Sequence, residues 1–394
     1  MKNSATLSEA QAALTLNAIP GVGPALCRRL ADVFDGALAP ALAASAETLE
    51  KIPGVGRTLA AKIAAHEREF SLAKEEKKMR EHGFEFVPFF DARFPVMLRE
   101  IPDAPIGVYV FGNVAALGTR RAIAIVGTRR ASLYGSSMAR KIARELALSR
   151  WTVVSGLARG IDTAAHVGAL DGNGATVAVL GCGLDIVYPP ENLELYRKIA
   201  ETGGAVISEF RLGRVADRRT FPQRNRIIAG LSAGMLVVES DEKGGSMLSA
   251  GFAADYGRTV FALPGRVDQD NSRGCHKLIR EGATLVTGAG DIVEEMESVA
   301  SQPSLALDFG DAPARVPAPT SGRAETSAAS EALVALPPEA VAIHALLAAG
   351  DALSPDEIAE RADLPAAAVL SNLLLLELER LVARKADGTY EKTL

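Results

Sequence analysis

Between residues 118 and 298 the chain alternates short, unbroken apolar runs with longer segments whose apolar positions recur at helical spacing. The runs occupy 122–126, 152–154, 176–180, 205–207, 235–238, 259–262 and 284–286. They lack the in-out alternation of a strand with one wet face, so both faces of each are expected to be buried. Segments such as 136–149, 162–170, 226–231 and 247–257 supply the covering helices. This pattern predicts the α/β class, with an extended, Rossmann-like, doubly wound parallel sheet.

Outside that core the pattern is helical. Ile19-Pro20-Gly21-Val22-Gly23 recurs as Ile52-Pro53-Gly54-Val55-Gly56, an offset of 33 residues, and each copy opens an amphipathic stretch. Glycines at a helix start leave backbone N–H groups free to meet an anion. The repeat resembles the helix-hairpin-helix, so residues 1–75 are expected to form an all-α, SAM-like domain. Residues 76–117 are expected to be a connector, with the end of a charged helix and a Pro-rich stretch.

Residues 299–331, rich in Pro, Ala and Ser, predict a flexible linker. Beyond it, 332–394 contains three helical segments and two short strand-like runs around Asp387-Gly388, and this order resembles a winged helix. Its second helix is expected to start at Ser354-Pro355-Asp356-Glu357, a capping arrangement. The segment 365–379, where a recognition helix would lie, has no Lys or Arg and carries Glu377 and Glu379. Such a helix repels phosphate, so contact with protein is the expectation for this module.

Charge changes the picture of the core. The 394 residues carry a formal charge of −5, which taken whole argues against a polyanionic ligand. Divided along the chain, the charge is −1 over 1–117, +8 over 118–230, −5 over 231–298 and −7 over 299–394. The basic surplus is mostly arginine and lies where the strand-end loops are, a plausible footprint for phosphate. Three distant cysteines, Cys27, Cys182 and Cys275, in no metal-ligand spacing, point to a reducing, cytoplasmic setting. No secretory leader or membrane-spanning run is evident, so no membrane partner is expected.

In an open parallel sheet, ligands sit outside the carboxyl ends of the strands. There this chain repeatedly places glycines, hydroxyls and arginines. The first loop holds Gly127, Thr128, Arg129 and Ser132; the second holds Ser155, Gly156, Arg159, Gly160 and Asp162. Gly183 follows the third strand, Arg224, Asn225 and Arg226 open a later helix, and Lys243, Gly244, Gly245 and Ser246 precede another. One such loop is an ordinary strand-to-helix turn. Their convergence on one edge is better explained by a shared polyanion site, with Arg129 as a guanidinium fork onto phosphate oxygens.

Other chemistries lack parts. Gly181-x-Gly183 misses the third glycine of a dinucleotide fingerprint, because Ile186 takes that place, so no nicotinamide or other cofactor is expected. The five histidines show no ligand spacing, and no metal is expected; His166 is assigned local hydrogen bonding. Ser155 is not in a nucleophile elbow. Glu209 and Glu239, at strand ends, are expected to pair with arginines of the basic segment.

The stretches GTRRASLYG, SGLARGIDTAAH, LGCGLDIVYPPEN, FPQRNRIIAGLS, VVESDEKGGSMLSAG and VFALPGRVDQDNSRGCHKLIREGA, in that order over about 120–290, resemble the bacterial DNA-processing protein A (DprA/Smf) family. The resemblance implies an extended Rossmann fold that binds single-stranded DNA without a catalytic step. It also implies a homodimer that protects incoming strands and helps load the RecA recombinase during natural transformation, in competition with single-strand-binding protein. Arg129 matches the family's DNA-binding arginine. The loops carrying Ser155–Asp162 and Gly183, the Arg224-Asn225-Arg226 segment and the Gly-Gly-Ser turn match its pocket. The turn departs from the family pattern: many members have Ser-Gly-Ser, whereas this chain has Gly244-Gly245-Ser246. Two other readings compete. The fold with a Gly-Gly-Ser turn also resembles nucleotide phosphoribohydrolases, but the proline and Gly-Thr pair of their loop are missing here. A protein adaptor fits the acidic C-terminal module.

Overall fold

The computed structural model describes residues 7–217, 220–301, 337–347, 352–362, 364–378, 381–384 and 389–392. The chain divides into two units, Met1–Leu305 and Ala306–Leu394.

The first unit is built on a nine-stranded sheet. Its strands are β1 Glu85–Pro88, β2 Gly107–Gly112, β3 Ala122–Val126, β4 Thr152–Ser155, β5 Thr176–Val179, β6 Ala205–Ser208, β7 Gly234–Val237, β8 Thr259–Ala262 and β9 Thr284–Leu285. Their spatial order is β1-β2-β6-β5-β4-β3-β7-β8-β9. From β6 through β9 all neighbours are parallel, with registers such as Ile123 opposite Val153 and Ala124 opposite Met235. Every residue of β3 to β7 is buried, which accounts for the unbroken apolar runs.

β1 and β2 correct the reading of 76–117 as a connector. Both lie inside that stretch and extend the sheet, with β2 antiparallel to β6 and β1 antiparallel to β2. They were hidden because an edge hairpin interrupted by prolines gives no repeated strand-helix rhythm.

The chain builds outward from β3 through β4, β5 and β6, then returns to place β7 on the other side of β3. β3 and β7 are therefore the point where the winding reverses, and their C-terminal loops splay apart to leave a crevice.

The helical N-terminal region forms two hairpins, with helices Pro24–Val33 and Arg57–Ala64 following the two Pro-Gly-Val-Gly turns. Gly21 and Gly54 have φ of +101° and +86°, the left-handed geometry that explains glycine at these turns. This region shares one hydrophobic core with the sheet: Leu16, Ile19 and Leu30 belong to the same cluster as Tyr109, Leu180 and Val206. Glu75 joins the two layers by accepting hydrogen bonds from the Tyr109 hydroxyl at 2.8 Å and the Leu212 N–H at 2.9 Å.

The second unit contains helices Pro338–Leu346, Pro355–Ala362 and Ala366–Leu378 and strands β10 Ala352–Leu353, β11 Val382–Arg384 and β12 Tyr390–Lys392, ordered β10-β12-β11. Ile343, Ile358, Val369, Leu373 and Tyr390 form its core. The Ser354 hydroxyl accepts from the Glu357 N–H at 3.3 Å, and the Glu357 carboxylate accepts from the Ser354 N–H at 2.8 Å, the expected cap. The Asp387-Gly388 turn and most of the 299–331 linker lie outside the described residues.

Candidate functional site

The reversal between β3 and β7 holds a crevice of about 450 Å³. One wall is Gly127–Arg130, which follows β3; the other is Ser240, Asp241, Gly244, Gly245 and Ser246, from the loop and helix start that follow β7. Ala158 and Asp162 close one end, and Phe221, Arg224 and Asn225 from the helix Thr220–Gly230 close the other.

Glu239 fixes the Arg129 loop. Its backbone carbonyl accepts from the Thr128 N–H at 2.7 Å, and its carboxylate accepts from the Ser132 N–H at 2.9 Å and from the Ser132 hydroxyl. Ser132 in turn caps the helix Leu133–Leu148 by accepting from the Gly135 N–H at 3.0 Å. A Cβ on Gly135 would lie 2.3 Å from the Glu239 carboxyl carbon, so only glycine admits this acid. The expectation that Glu239 pairs with an arginine is thereby corrected, because its oxygens are occupied by the loop.

The loop after β4 presses on the same turn. Gly160, at φ +76°, is so close that a Cβ would lie 2.4 Å from the Thr128 carbonyl oxygen. Beneath it lies a buried charge pair. Arg224 donates from Nη1 to the Val179 carbonyl at 2.6 Å, and its charge acts on Asp162, which accepts from the Ala158 N–H at 3.3 Å. Burial pushes the Asp162 carboxyl up from its ordinary value, and Arg224 opposes that shift. The Arg224 Nε lines the buried side without a partner among the described residues. Ser155 lies below the crevice and donates its hydroxyl to the Ile125 carbonyl at 2.6 Å.

Above this floor the cations are free. Arg129, Arg130 and Lys243 are exposed, and among the described residues none makes an ion pair. The Arg129 guanidinium lies 4.5 Å from the Phe221 ring centroid, and Phe221 lies 5.9 Å from Tyr188. Opposite them, Gly245 opens the helix Gly245–Asp255, whose first N–H groups have no intrahelical acceptor. Nothing stands within 4 Å of where a Gly245 Cβ would be. Ser246 donates to the Ser240 hydroxyl at 2.8 Å, which fixes the turn. The result is a cationic, aromatic and N–H-lined cleft suited to a phosphate beside a planar base.

Of the residues singled out in the sequence, Gly127, Thr128, Arg129, Asp162, Arg224, Asn225, Gly244, Gly245 and Ser246 line this crevice. Ser132, Ser155, Gly156 and Gly160 support it from behind. Arg159 points elsewhere and pairs with Glu191 on the surface. Gly183 is held in a neighbouring loop, where its N–H donates to the Arg214 carbonyl at 2.8 Å. Arg226 is buried in an ion pair with Glu209, as expected for that acid, and lies 3.5 Å from Asp103. Lys243 is exposed outside the crevice lining. Phe221 and Glu239 were not assigned their roles from sequence. The aromatic beside Arg224-Asn225-Arg226 was a usable signal for the first, but the second depends on a contact across 107 residues.

Comparison with known proteins bears on the whole chain. The profile of DNA recombination-mediator protein A matches residues 85–297, so it includes β1 and β2. A DprA winged-helix profile matches 325–388 and a SAM-like helix-hairpin-helix tandem matches 13–68. Protein Smf of Escherichia coli is 39% identical over 311 residues, covering 77% of this chain and 76% of that protein. Protein Smf of Synechocystis is 35% identical over 289 residues, covering 73% and 72%. The crystal structure of DNA processing protein A from Streptococcus pneumoniae superposes with a TM-score of 0.64 at 32% identity, covering 74% of this chain and 98% of that one. A structure describing the single-stranded DNA binding mode of the Helicobacter pylori protein superposes with a TM-score of 0.50 at 29% identity, covering 55% and 96%. Among the described residues no helix is long and apolar enough to cross a membrane. With the fold, all three domain profiles and relatives matched over most of their length in agreement, the chain belongs to the DNA recombination-mediator protein A (DprA/Smf) family.

Proposed function

We propose that this protein binds single-stranded DNA in the crevice between β3 and β7, and does so without reading base sequence. The observation that carries the reading is the unpaired Arg129 guanidinium stacked on Phe221, facing the free N–H groups at Gly245. A phosphate meets the arginine and the helix start, while the half-buried Phe221 ring beside them offers a base an aromatic surface; every base has a π-face, so stacking tolerates any sequence. The H. pylori relative is described as binding single-stranded DNA, which supports the same ligand here.

Binding rather than chemistry is the better account. Asp162 is buried against Arg224, and Glu239 is held by Ser132, so neither acid is free to move a proton to or from a ligand. Family membership extends the proposal to the pathway: a homodimer that protects incoming single strands, helps load RecA past single-strand-binding protein, and acts in natural transformation. The deciding experiment is a gel shift with single- and double-stranded oligonucleotides of equal length across a salt series. Preference for the single strand, with affinity falling steeply as salt rises, is the expected result. Equal or stronger duplex binding overturns the reading.

A further inference from the structure

Beside the crevice, a groove of about 860 Å³ runs between the helices Leu133–Leu148 and Ile161–Asp171. Its walls carry Arg140, Lys141, Arg144 and Arg159, with hydroxyls of Ser136 and Thr163 between them. We propose that this groove is a second subsite, which takes the nucleotides flanking those held at Arg129. The inference rests on the single-strand reading above and extends it to a specific path.

Three observations support the path. The first is continuity: Arg159 and Gly160 form the head of the groove, and the Gly160 backbone packs directly on the Thr128 carbonyl, behind Arg129. Ala158 and Asp162 of the crevice alternate along one segment with Arg159, Gly160 and Thr163 of the groove, so the two sites adjoin at this turn. The second is charge. Helix Leu133–Leu148 has Arg140, Lys141 and Arg144 against Glu145 alone, whereas the outward helix Leu193–Glu201 is balanced and Ala289–Ser301 is acidic. The third is availability. Arg144 makes no ion pair among the described residues. Arg140 meets Asp171 at 2.6 Å, Lys141 meets Glu145 at 4.0 Å, and Arg159 meets Glu191, all at the surface. Exposed pairs of this kind are weak and screened by salt, so a phosphate can replace the carboxylate.

The dimensions fit a strand. Ser136 and Arg144 are separated by about 12 Å of helix rise, roughly three nucleotides at stacked spacing. At the head of the groove Leu133 is 93% exposed, an apolar surface for the first flanking base.

The test uses the full-length chain and two oligothymidines, about six and about twenty nucleotides long, titrated by fluorescence anisotropy at several salt concentrations. Arg144→Glu alone, and Arg140→Glu with Arg144→Glu, should weaken the long oligomer, by about tenfold or more in the double variant, and lower its salt slope by about 0.7 for each phosphate that is no longer neutralised. The short oligomer should change by less than about twofold, because it is held in the crevice. Arg140→Lys with Arg144→Lys should retain the affinity of the long one. An undiminished affinity for the long oligomer, or an equal weakening of both, overturns the groove. Arg129→Ala separates this failure from that of the underlying reading: if it leaves both oligomers bound at full strength, the crevice is not the primary site.

Discussion

The Arg129 guanidinium lies 4.5 Å from the centre of the Phe221 ring, although Arg129 sits in the loop after β3 and Phe221 opens a helix 92 positions further on. The stack holds a long, flexible cation in one place without neutralising it, so its charge stays available to a ligand. The two members are expected to fail differently. Phe221→Ala removes a stacking surface worth about 1–3 kcal/mol per base and should weaken single-strand binding with little change in salt slope. Arg129→Ala should also weaken binding, but with a slope smaller by about 0.7, the share of one neutralised phosphate. Anisotropy titrations across salt distinguish them, and identical slopes for both variants would contradict a phosphate-binding Arg129.

Gly245 gives a cleaner probe of the opposite wall. A methyl group there meets nothing within 4 Å in the free protein, and the residue opens a helix, where alanine is well tolerated. Gly245→Ala should therefore leave the thermal midpoint unchanged or slightly raised, yet reduce single-strand affinity several-fold by keeping phosphate from the helix N–H groups. If the variant binds like the wild type, the backbone at Gly245 does not touch the ligand.

Gly156 tests the floor. A Cβ at this position would lie 1.7 Å from Arg224 Nη1, and Arg224 is only 4% exposed, so it has nowhere to move. Gly156→Ala should push the guanidinium off the Val179 carbonyl and away from Asp162, leaving a buried acid without its partner. Displacing this buried cation from its carbonyl and from the field of Asp162 should destabilise the fold, readable as a lower urea midpoint. Replacing both charges, Asp162→Asn with Arg224→Met, should cost less than removing either charge alone. Additive losses in that cycle would show that the two groups are not coupled.

The parallel strands were legible because burial on both faces imposes one simple pattern, and the crevice loops were legible because glycine, hydroxyl and arginine recur at strand ends. Two things were not. The hairpin β1–β2 is an edge addition whose partner, β6, lies about a hundred residues away, and no local period announces it. The division of labour among the arginines was also hidden. Arg129, Arg224 and Arg226 look alike in sequence, but only packing decides that the first is exposed, the second props a loop and the third is matched by Glu209. A charge count locates a basic segment; which of its charges remain free depends on the neighbours that folding brings.

His166 makes the packing beneath the site sensitive to acid. The Thr176 hydroxyl donates to the Val153 carbonyl at 2.7 Å, so toward His166 it must accept, which places the imidazole proton on Nδ1 at 2.7 Å. Nε2 is then a bare lone pair, buried with no partner among the described residues. Burial, reinforced by the nearby Arg224 charge, lowers the His166 pKa from 6.5 to about 3. The unfolded chain therefore takes up a proton near pH 6.5 that the folded chain refuses until about pH 3. Stability from this group is complete above pH 6.5 and is lost as pH falls through that window, by at most about 1.4 kcal/mol per pH unit. His166→Gln, which cannot titrate, should flatten this part of the acid dependence in urea unfolding between pH 7 and pH 4, whatever its effect at neutral pH. An unchanged slope in the variant would mean that the imidazole is protonated in the folded protein and that the packing of the helix Ile161–Asp171 against β5 admits water.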